Sequence, residues 1–362
     1  MKVLHVIPSL NTGGAQKLLG DLLPLINNHP DIETSVVVFH KTGSGIEKIL
    51  ESHNIPVFSL EISSHSAKAI LKLREFIKKV DIIHLHLFPA NYFGVLANIG
   101  LNKPLFFTEH STHNKRRNKK WMRPVERFFY KNLTGIICIS NATKESLTNW
   151  LGKDFKSSKF HIIENGIDLK QYKAARASAS YEMFGRTGIP VLMISRFTDS
   201  KDQATVVKSL DYIENKDVFI VFAGEGETMK KIRNLSISLG HEDRVIFLGN
   251  RQDIPEIIKA SKIGVQSSHW EGFGLTAVEM MAGGLPVIAS DVEGLRQVVE
   301  GAGLLFEKGD PEKLAEIINK ILNSEKLLTE IIQKEEERVN NYSIETAANN
   351  HIQLYKSARP DL

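Results

Sequence analysis

Ile263-Gly264-Val265-Gln266-Ser267-Ser268-His269-Trp270-Glu271-Gly272-Phe273-Gly274-Leu275-Thr276-Ala277-Val278-Glu279 decides how this chain folds. The apolar run 263–266 reads as a buried strand. A glycine-flanked loop carrying a carboxylate follows it, and 275–282 reads as a helix. A second apolar run at 287–289 reads as the next strand. Strand, loop, helix and strand make the unit of a parallel sheet, whose neighbouring strands need a crossover connection.

Outward from that unit the same rhythm recurs. Towards the N-terminus come strands at 191–194, 218–223 and 245–248, with helices at 203–213, 227–239 and 254–260 between and after them. The rhythm breaks over 168–190, where an Ala/Ser-rich stretch, Arg176-Ala177-Ser178-Ala179-Ser180, reads as a linker. Before the break lie strands at 3–7, 34–39, 81–85, 105–108 and 135–139, and helices at 15–27 and 67–79. Two series of this kind imply an α/β protein of two doubly wound domains, 1–168 and 188–341. Ligands of such sheets bind at the carboxyl ends of the strands. From 311 onward the chain reads as helical, with Lys334-Glu335-Glu336-Glu337-Arg338 as a solvated face.

Composition agrees with a folded protein of this size. The chain has 362 residues, 42% hydrophobic and 24% charged, which suits two ordinary cores. No apolar run is long enough to span a bilayer. The opening residues are followed at once by a polar, glycine-containing stretch, so they read as a first strand rather than a secretion signal. A single cysteine, Cys138, excludes an internal disulfide and sits in an apolar run, where a core role outweighs a nucleophilic one. Those features imply a cytoplasmic protein. Residues 1–168 hold 22 Lys+Arg against 14 Asp+Glu, so the first half is the one suited to an anionic surface.

The chemistry concentrates around Glu271 and Glu279. A loop that turns into a helix leaves backbone N–H groups free beside Phe273, Gly274, Leu275 and Thr276, where a phosphate can sit. Glu279 can then accept hydrogen bonds from ribose hydroxyls, and Glu271 from those of a sugar. Two glutamates at this spacing would by themselves be a surface charge and a loop charge. The Gly-Phe-Gly between them and the Met280-to-Val287 stretch after them make the pattern specific.

The segment 271–290 resembles the donor-site signature of the family-4 retaining glycosyltransferases (glycosyl transferases group 1), which have the GT-B fold of two Rossmann-like domains facing across a cleft. The resemblance runs over nearly the full chain. Thr12-Gly13-Gly14-Ala15 is similar to the family's glycine loop, Asn165-Gly166-Ile167-Asp168 to its interdomain signature, and Ile194-Ser195-Arg196-Phe197 with Lys201 to its diphosphate clamp. It implies a glycosyltransferase that moves a sugar from a nucleoside-diphosphate sugar, most often of UDP, to a glycan or lipid-linked acceptor. Arg196 and Lys201 would neutralise the diphosphate, so no metal or other cofactor is expected. Glu279 would hold the ribose, Glu271 the sugar, and the main chain at Arg251 the base. His110, in Thr108-Glu109-His110-Ser111, would lie near the transferred sugar, against the plainer reading of a capping histidine. Catalytic candidates are therefore Glu271, His110, Arg196 and Lys201. Gly13, Gly14, Arg251, Phe273, Gly274, Leu275, Thr276 and Glu279 join the donor site. Helix 342–358 would cross back onto the first domain.

Some features depart from the pattern or stand outside it. Ser195 and Asp202 replace usual glycines, and 291–297 lacks the paired glycines and the Pro-Glu that commonly follow. Gly224-Glu225-Gly226 has the wrong spacing for a P-loop. His84 and His86 alternate on a strand end; they read as structural, with acceptor-lining and metal roles as the other options. Residues 115–131 hold eight basic residues against Glu126 alone, interleaved with Trp121, Met122, Val125, Phe128 and Phe129. Two readings stand: a helix lying on an anionic membrane face, or a helix with core phenylalanines and a solvated outer side. Nucleic acid binding is a third and weaker option, since no stacking platform or nucleic-acid motif accompanies the charge, and no nucleic acid partner is expected. An epimerase on the same fold, or a non-catalytic partner subunit, are the alternative functions.

Overall fold

A computed structural model describes all residues except 12, 63–65, 113, 178 and 362, and leaves the side chains of 115, 157 and 181 undescribed. The chain divides into two compact units, Met1–Gly166 with Ile344–Leu362, and Ile167–Ser343.

The first unit holds strands β1 (Lys2–Ile7), β2 (Glu33–Val38), β3 (Val57–Ser59), β4 (Ile82–His86), β5 (Leu105–Glu109), β6 (Gly135–Cys138) and β7 (Phe160–Ile162). Its helices are α1 (Gly14–Asn27), α2 (Gly45–Ser52), α3 (Lys68–Ile77), α4 (Ala90–Asn98), α5 (Met122–Lys131) and α6 (Asn141–Leu151). The strands form one parallel sheet in the order β3-β2-β1-β4-β5-β6-β7. Side chains alternate across a strand, so each sheet face collects its own core. Val3, Ile7, Ile82 and Phe106 pack on one face with Leu19 and Leu23 of α1. Leu4, Val6, Ile83 and Leu85 pack on the other with Leu73 of α3 and Tyr130 of α5.

The second unit starts with two short helices, α7 (Leu169–Ala174) and α8 (Ser180–Phe184), in the stretch whose composition reads as a linker. Asp168 caps the first of them, its carboxylate accepting from the Lys170 N–H at 2.9 Å. The sheet comprises β8 (Ile189–Ile194), β9 (Val218–Ala223), β10 (Val245–Gly249), β11 (Ile263–Gln266), β12 (Val287–Ser290) and β13 (Leu304–Phe306). Helices α9 (Gln203–Lys208), α10 (Met229–Ser238), α11 (Ile254–Ala260), α12 (Leu275–Ala282), α13 (Glu293–Val299), α14 (Pro311–Leu322) and α15 (Glu325–Val339) connect and follow them. The parallel order is β10-β9-β8-β11-β12-β13. The expected solvated face at 334–338 is wrong at Glu335, which is 1% exposed. Its Oε1 accepts from the Val287 N–H at 2.8 Å, and burial pushes its carboxyl well above the usual carboxylate range.

The last helix, α16 (Ile344–Ala358), belongs to the first unit and packs along α1. Ile344, Ala347, Ala348, Ile352 and Tyr355 enter the core face formed by β1 and α1. Lys356 reaches Asp31 at 3.1 Å at its outer end. No helix among the described residues is long and apolar enough to cross a membrane.

Candidate active site

In the second sheet the strand order reverses between β8 and β11, which lie side by side although three strands apart in the chain. Such a switch point opens a crevice beyond the strand ends. The loops after these two strands carry Arg196 and Lys201 on one side, and Glu271 with the start of α12 on the other. They are stitched together: the Asp202 N–H donates to the Ser267 carbonyl at 3.2 Å, and the His269 N–H to the Ser200 carbonyl at 2.9 Å. Lys201 forms an ion pair with Glu271, and its ammonium also lies 3.4 Å from Ser268 Oγ. Arg196 is exposed and its guanidinium has no partner among the described residues.

Local residue choices explain this geometry. Asp202, unusual at a position where glycine is common, caps α9: it accepts from the Thr205 N–H at 3.2 Å and Oγ1 at 2.6 Å. Gln203 then donates to Ser195 Oγ at 3.0 Å and the Arg196 carbonyl at 3.1 Å, holding the Arg196 loop from inside. Gly224, dismissed as part of a failed P-loop, has φ +135°, and a Cβ there would collide with the Ser195 carbonyl. Gly294 on α13 abuts the Glu271 main chain as closely. Sequence reasoning missed Gln203, Gly224 and Gly294, because each acts through contacts distant in sequence; two glycines in the Gly-Glu-Gly stretch were the one available signal.

Gly274 starts α12 in the left-handed region, φ 95°. Leu275 and Thr276 form the first turn, where N–H groups have no helical acceptor. Thr276 Oγ1 donates to Gln266 Oε1 at 2.9 Å. Glu279 lies one turn on, 5% exposed. Phe273 is a core side chain, edge-on to Tyr342 at 5.3 Å, so only its main chain is free for a ligand. The Arg251 side chain is engaged with Asp253 (Nε to Oδ1 2.7 Å). A hollow of about 540 Å³ lined by Lys173, Lys259, Met281 and Glu336 opens at the other end of α12, away from these groups.

In the first unit the switch point falls between β1 and β4. Histidines gather there. His5 pairs in register with His84, and His86 and Thr108 continue the same sheet face beyond Val3, Ile82 and Phe106. α16 covers them with His351 and Tyr355. His84 is fully occupied, Nδ1 to Tyr355 OH at 2.6 Å and Nε2 to Thr108 Oγ1 at 2.7 Å. The nitrogens of His5, His84 and His86 come within 4.8 Å of one another, a metal-like grouping. As folded, however, His84 has no nitrogen to give. His110, just past β5, is half-buried with Nε2 3.4 Å from His86 Nδ1, and packing lowers its pKa to about 4. Gly13 and Gly14 open α1, with the Lys17 N–H bonded to the Gly13 carbonyl at 2.9 Å; Thr12 of that motif lies outside the described residues. Cys138 is buried in β6 with its thiol pushed up to about 12.

Comparison with known proteins decides the family. The model of the Glycosyl transferases group 1 family matches residues 185–338, and that of Glycosyltransferase Family 4 matches 13–171. The Escherichia coli UDP-Gal:alpha-D-GlcNAc-diphosphoundecaprenol alpha-1,3-galactosyltransferase is 30% identical over 263 residues, 67% of either chain. The chain belongs to the family-4 glycosyltransferases. A Campylobacter jejuni GalNAc-alpha-(1->4)-GalNAc-alpha-(1->3)-diNAcBac-PP-undecaprenol alpha-1,4-N-acetyl-D-galactosaminyltransferase is 23% identical across 95% of both chains. The crystal structure of Anabaena HepE in complex with UDP and glucose matches with a TM-score of 0.88 at 24% identity, covering 99% of this chain and 100% of that one. The two Rossmann-like units are thus those of the GT-B fold, and the chain is a glycosyltransferase.

Proposed function

We propose that this glycosyltransferase takes its sugar from a UDP-sugar, transfers it with retention to a hydroxyl of a lipid-linked glycan, and works against an anionic membrane surface. The observation that carries the donor reading is the meeting of Arg196, Lys201, Glu271 and the α12 N-terminus at one switch point. A departing nucleoside diphosphate gathers negative charge. Two cations and a helix N-terminus can stabilise that charge without a metal. The E. coli relative is named for UDP-galactose and a diphosphoundecaprenol acceptor, and HepE was crystallised with UDP and with UDP-glucose, which favours UDP and a lipid-linked acceptor here. An epimerase reading gains nothing from these relatives.

Retention follows most simply by a front-face route. The anomeric C–O bond to the diphosphate breaks, the acceptor oxygen bonds to the same face, and its proton passes to an oxygen of the leaving phosphate. Glu271 would bind sugar hydroxyls and Glu279 the ribose.

The membrane reading rests on α5. Trp121, Val125 and Phe128 are spaced along one helix face and are 66, 38 and 51% exposed. Exposed Lys119, Lys120, Arg123 and Lys131 accompany them. Not all the basic residues are free for lipid: Arg116 pairs with Glu126 at 2.9 Å, Arg117 with Glu109 at 2.8 Å and Arg127 with Asp154 at 2.6 Å. The two phenylalanines divide, Phe129 stacking on Tyr92 at 3.9 Å and Phe128 facing outward. An apolar stripe ringed by exposed cations suits an anionic lipid surface. His113 of this segment lies outside the described residues.

Isothermal titration of the metal-free protein with UDP, GDP, ADP and their common sugars tests the donor. Selective binding of UDP and one UDP-sugar is expected. Binding to none of them would overturn the donor assignment.

A further inference from the structure

Three histidines of the first unit form a row. His110 Nε2 lies 3.4 Å from His86 Nδ1, and His86 Nε2 lies 3.1 Å from His5 Nδ1. His5 Nε2 ends the row, buried and without a partner among the described residues. The rings are neutral at physiological pH. Burial, with the neighbouring His351 adding to it, lowers the pKa of His5 to about 3 and of His110 to about 4, and burial holds His86 well below its ordinary value.

A neutral imidazole has one N–H and one lone pair, so each ring in a row donates at one nitrogen and accepts at the other. Only two arrangements satisfy both links, and all three rings change together between them. In the first, the terminal His5 Nε2 carries a proton buried with nothing to receive it. In the second it is a bare lone pair. Among buried backbone groups an orphaned N–H is rarer than an under-satisfied acceptor, and the same preference carried over to the ring favours the lone pair. The second arrangement then runs from His5 Nδ1–H to His86 Nε2, and from His86 Nδ1–H to His110 Nε2. It leaves the His110 proton on Nδ1, whereas a free histidine side chain favours Nε2–H. The other two histidines stand aside: both nitrogens of His84 are bound, and His351 Nδ1–H donates to the Ala347 carbonyl at 2.8 Å.

We propose that His86 and His5 are positioning residues that hold His110 in the Nδ1–H form, so that the ring offers a hydrogen-bond donor at Nδ1 to an oxygen of the substrate. The use made of that donor rests on the sugar-transfer reading above. The protonation pattern does not.

Long-range proton–nitrogen correlation spectra of the full chain with ¹⁵N-histidine read the pattern directly, with His110 assigned by its loss in His110→Gln. Wild type is expected to show Nδ1–H at His5, His86 and His110. Nε2–H at His110 would overturn the proposal. His86→Asn places an amide N–H where Nδ1 was and is expected to keep the His110 form, while His86→Phe releases it to Nε2–H. Equal spectra for the two variants would sink the idea. Should His86→Phe not fold, His86→Leu removes the same link and is expected to release His110 to Nε2–H. With UDP-galactose as donor, His86→Phe is expected to lose turnover by about tenfold or more at unchanged KM, with His86→Asn restoring it. If the sugar-transfer reading itself fails, wild type turns over no nucleotide sugar, and the spectra still decide the protonation pattern.

Discussion

The Lys201 ammonium closes an ion pair on the Glu271 carboxylate, tying the loop after β8 to the loop after β11. Both side chains are about four-fifths buried, at 18 and 20% exposure. Removing either one takes the countercharge away from a largely buried ionised group. Lys201→Ala and Glu271→Ala are each expected to lower stability by about 1–2 kcal/mol, and the double variant by less than the sum. Urea unfolding of the four proteins measures this. Both single variants are also expected to depress turnover, and normal turnover in both would remove these residues from the chemistry.

Arg196 behaves differently because its guanidinium is exposed and has no partner to lose among the described residues. Arg196→Ala is expected to leave the melting temperature unchanged while weakening UDP by roughly tenfold, the worth of one charge-assisted contact to phosphate. Titration calorimetry beside a thermal melt separates the two effects. A destabilised variant that binds UDP normally would contradict the assignment.

The buried histidines make the first unit sensitive to acid. Their folded pKa values, about 3 for His5 and about 4 for His110 and His351, lie below the unfolded value of about 6.5. Between those limits the unfolded chain binds more protons than the folded one. Stability is therefore full above pH ~6.5 and is lost as pH falls towards ~4, at roughly 1.4 kcal/mol per pH unit for each histidine kept neutral. Denaturant melts of wild type and His351→Phe over this range check it, with a shallower slope expected in the variant.

Glu335 works in the opposite sense. Its folded pKa is raised by burial, so it weakens the fold as pH climbs above the ordinary carboxylate range. Glu335→Gln keeps the oxygen that accepts from the Val287 N–H and removes the charge. It is expected to melt at or above wild type at alkaline pH, with the advantage shrinking near pH ~5. A variant that is less stable at every pH would show that the carboxyl group itself is needed.

Lipid binding through α5 is expected to require both halves of its face. Trp121→Ser with Phe128→Ser should release the protein from vesicles containing anionic lipid, and raised salt should do the same to wild type. Flotation reads both. Equal recovery on neutral vesicles would exclude an electrostatic contribution.

The alternation of apolar runs and helical stretches was enough to read most of both sheets, because parallel strands are buried on both faces and stand out as continuous runs. β3, β7 and β13 escaped that reading. Each is three residues long and sits at or near a sheet edge, too short to carry a pattern. α7 and α8 escaped because their Ala/Ser-rich surroundings resemble a linker. At the site, Lys201 and Glu271 were legible from a family signature, but their pairing across 70 residues was not. The histidine row was half legible: His84 and His86 alternate visibly, yet the tie from His86 to His5 exists only once β1 lies beside β4.

The return of α16 to β1 and α1 has a consequence for the order in which the protein is made. All of the first unit except residues 344–362 is synthesised before the second unit begins. At about 5–20 residues per second, the second unit takes on the order of ten to forty seconds to synthesise. For that time Leu19, Leu23 and Val3 have no Ile352 or Tyr355 to cover them, and the histidines at the strand ends face water rather than a packed helix. A nascent chain in this state exposes an apolar groove of its own, so chaperone capture on the ribosome should fall on the first unit and end when residues 344–358 emerge.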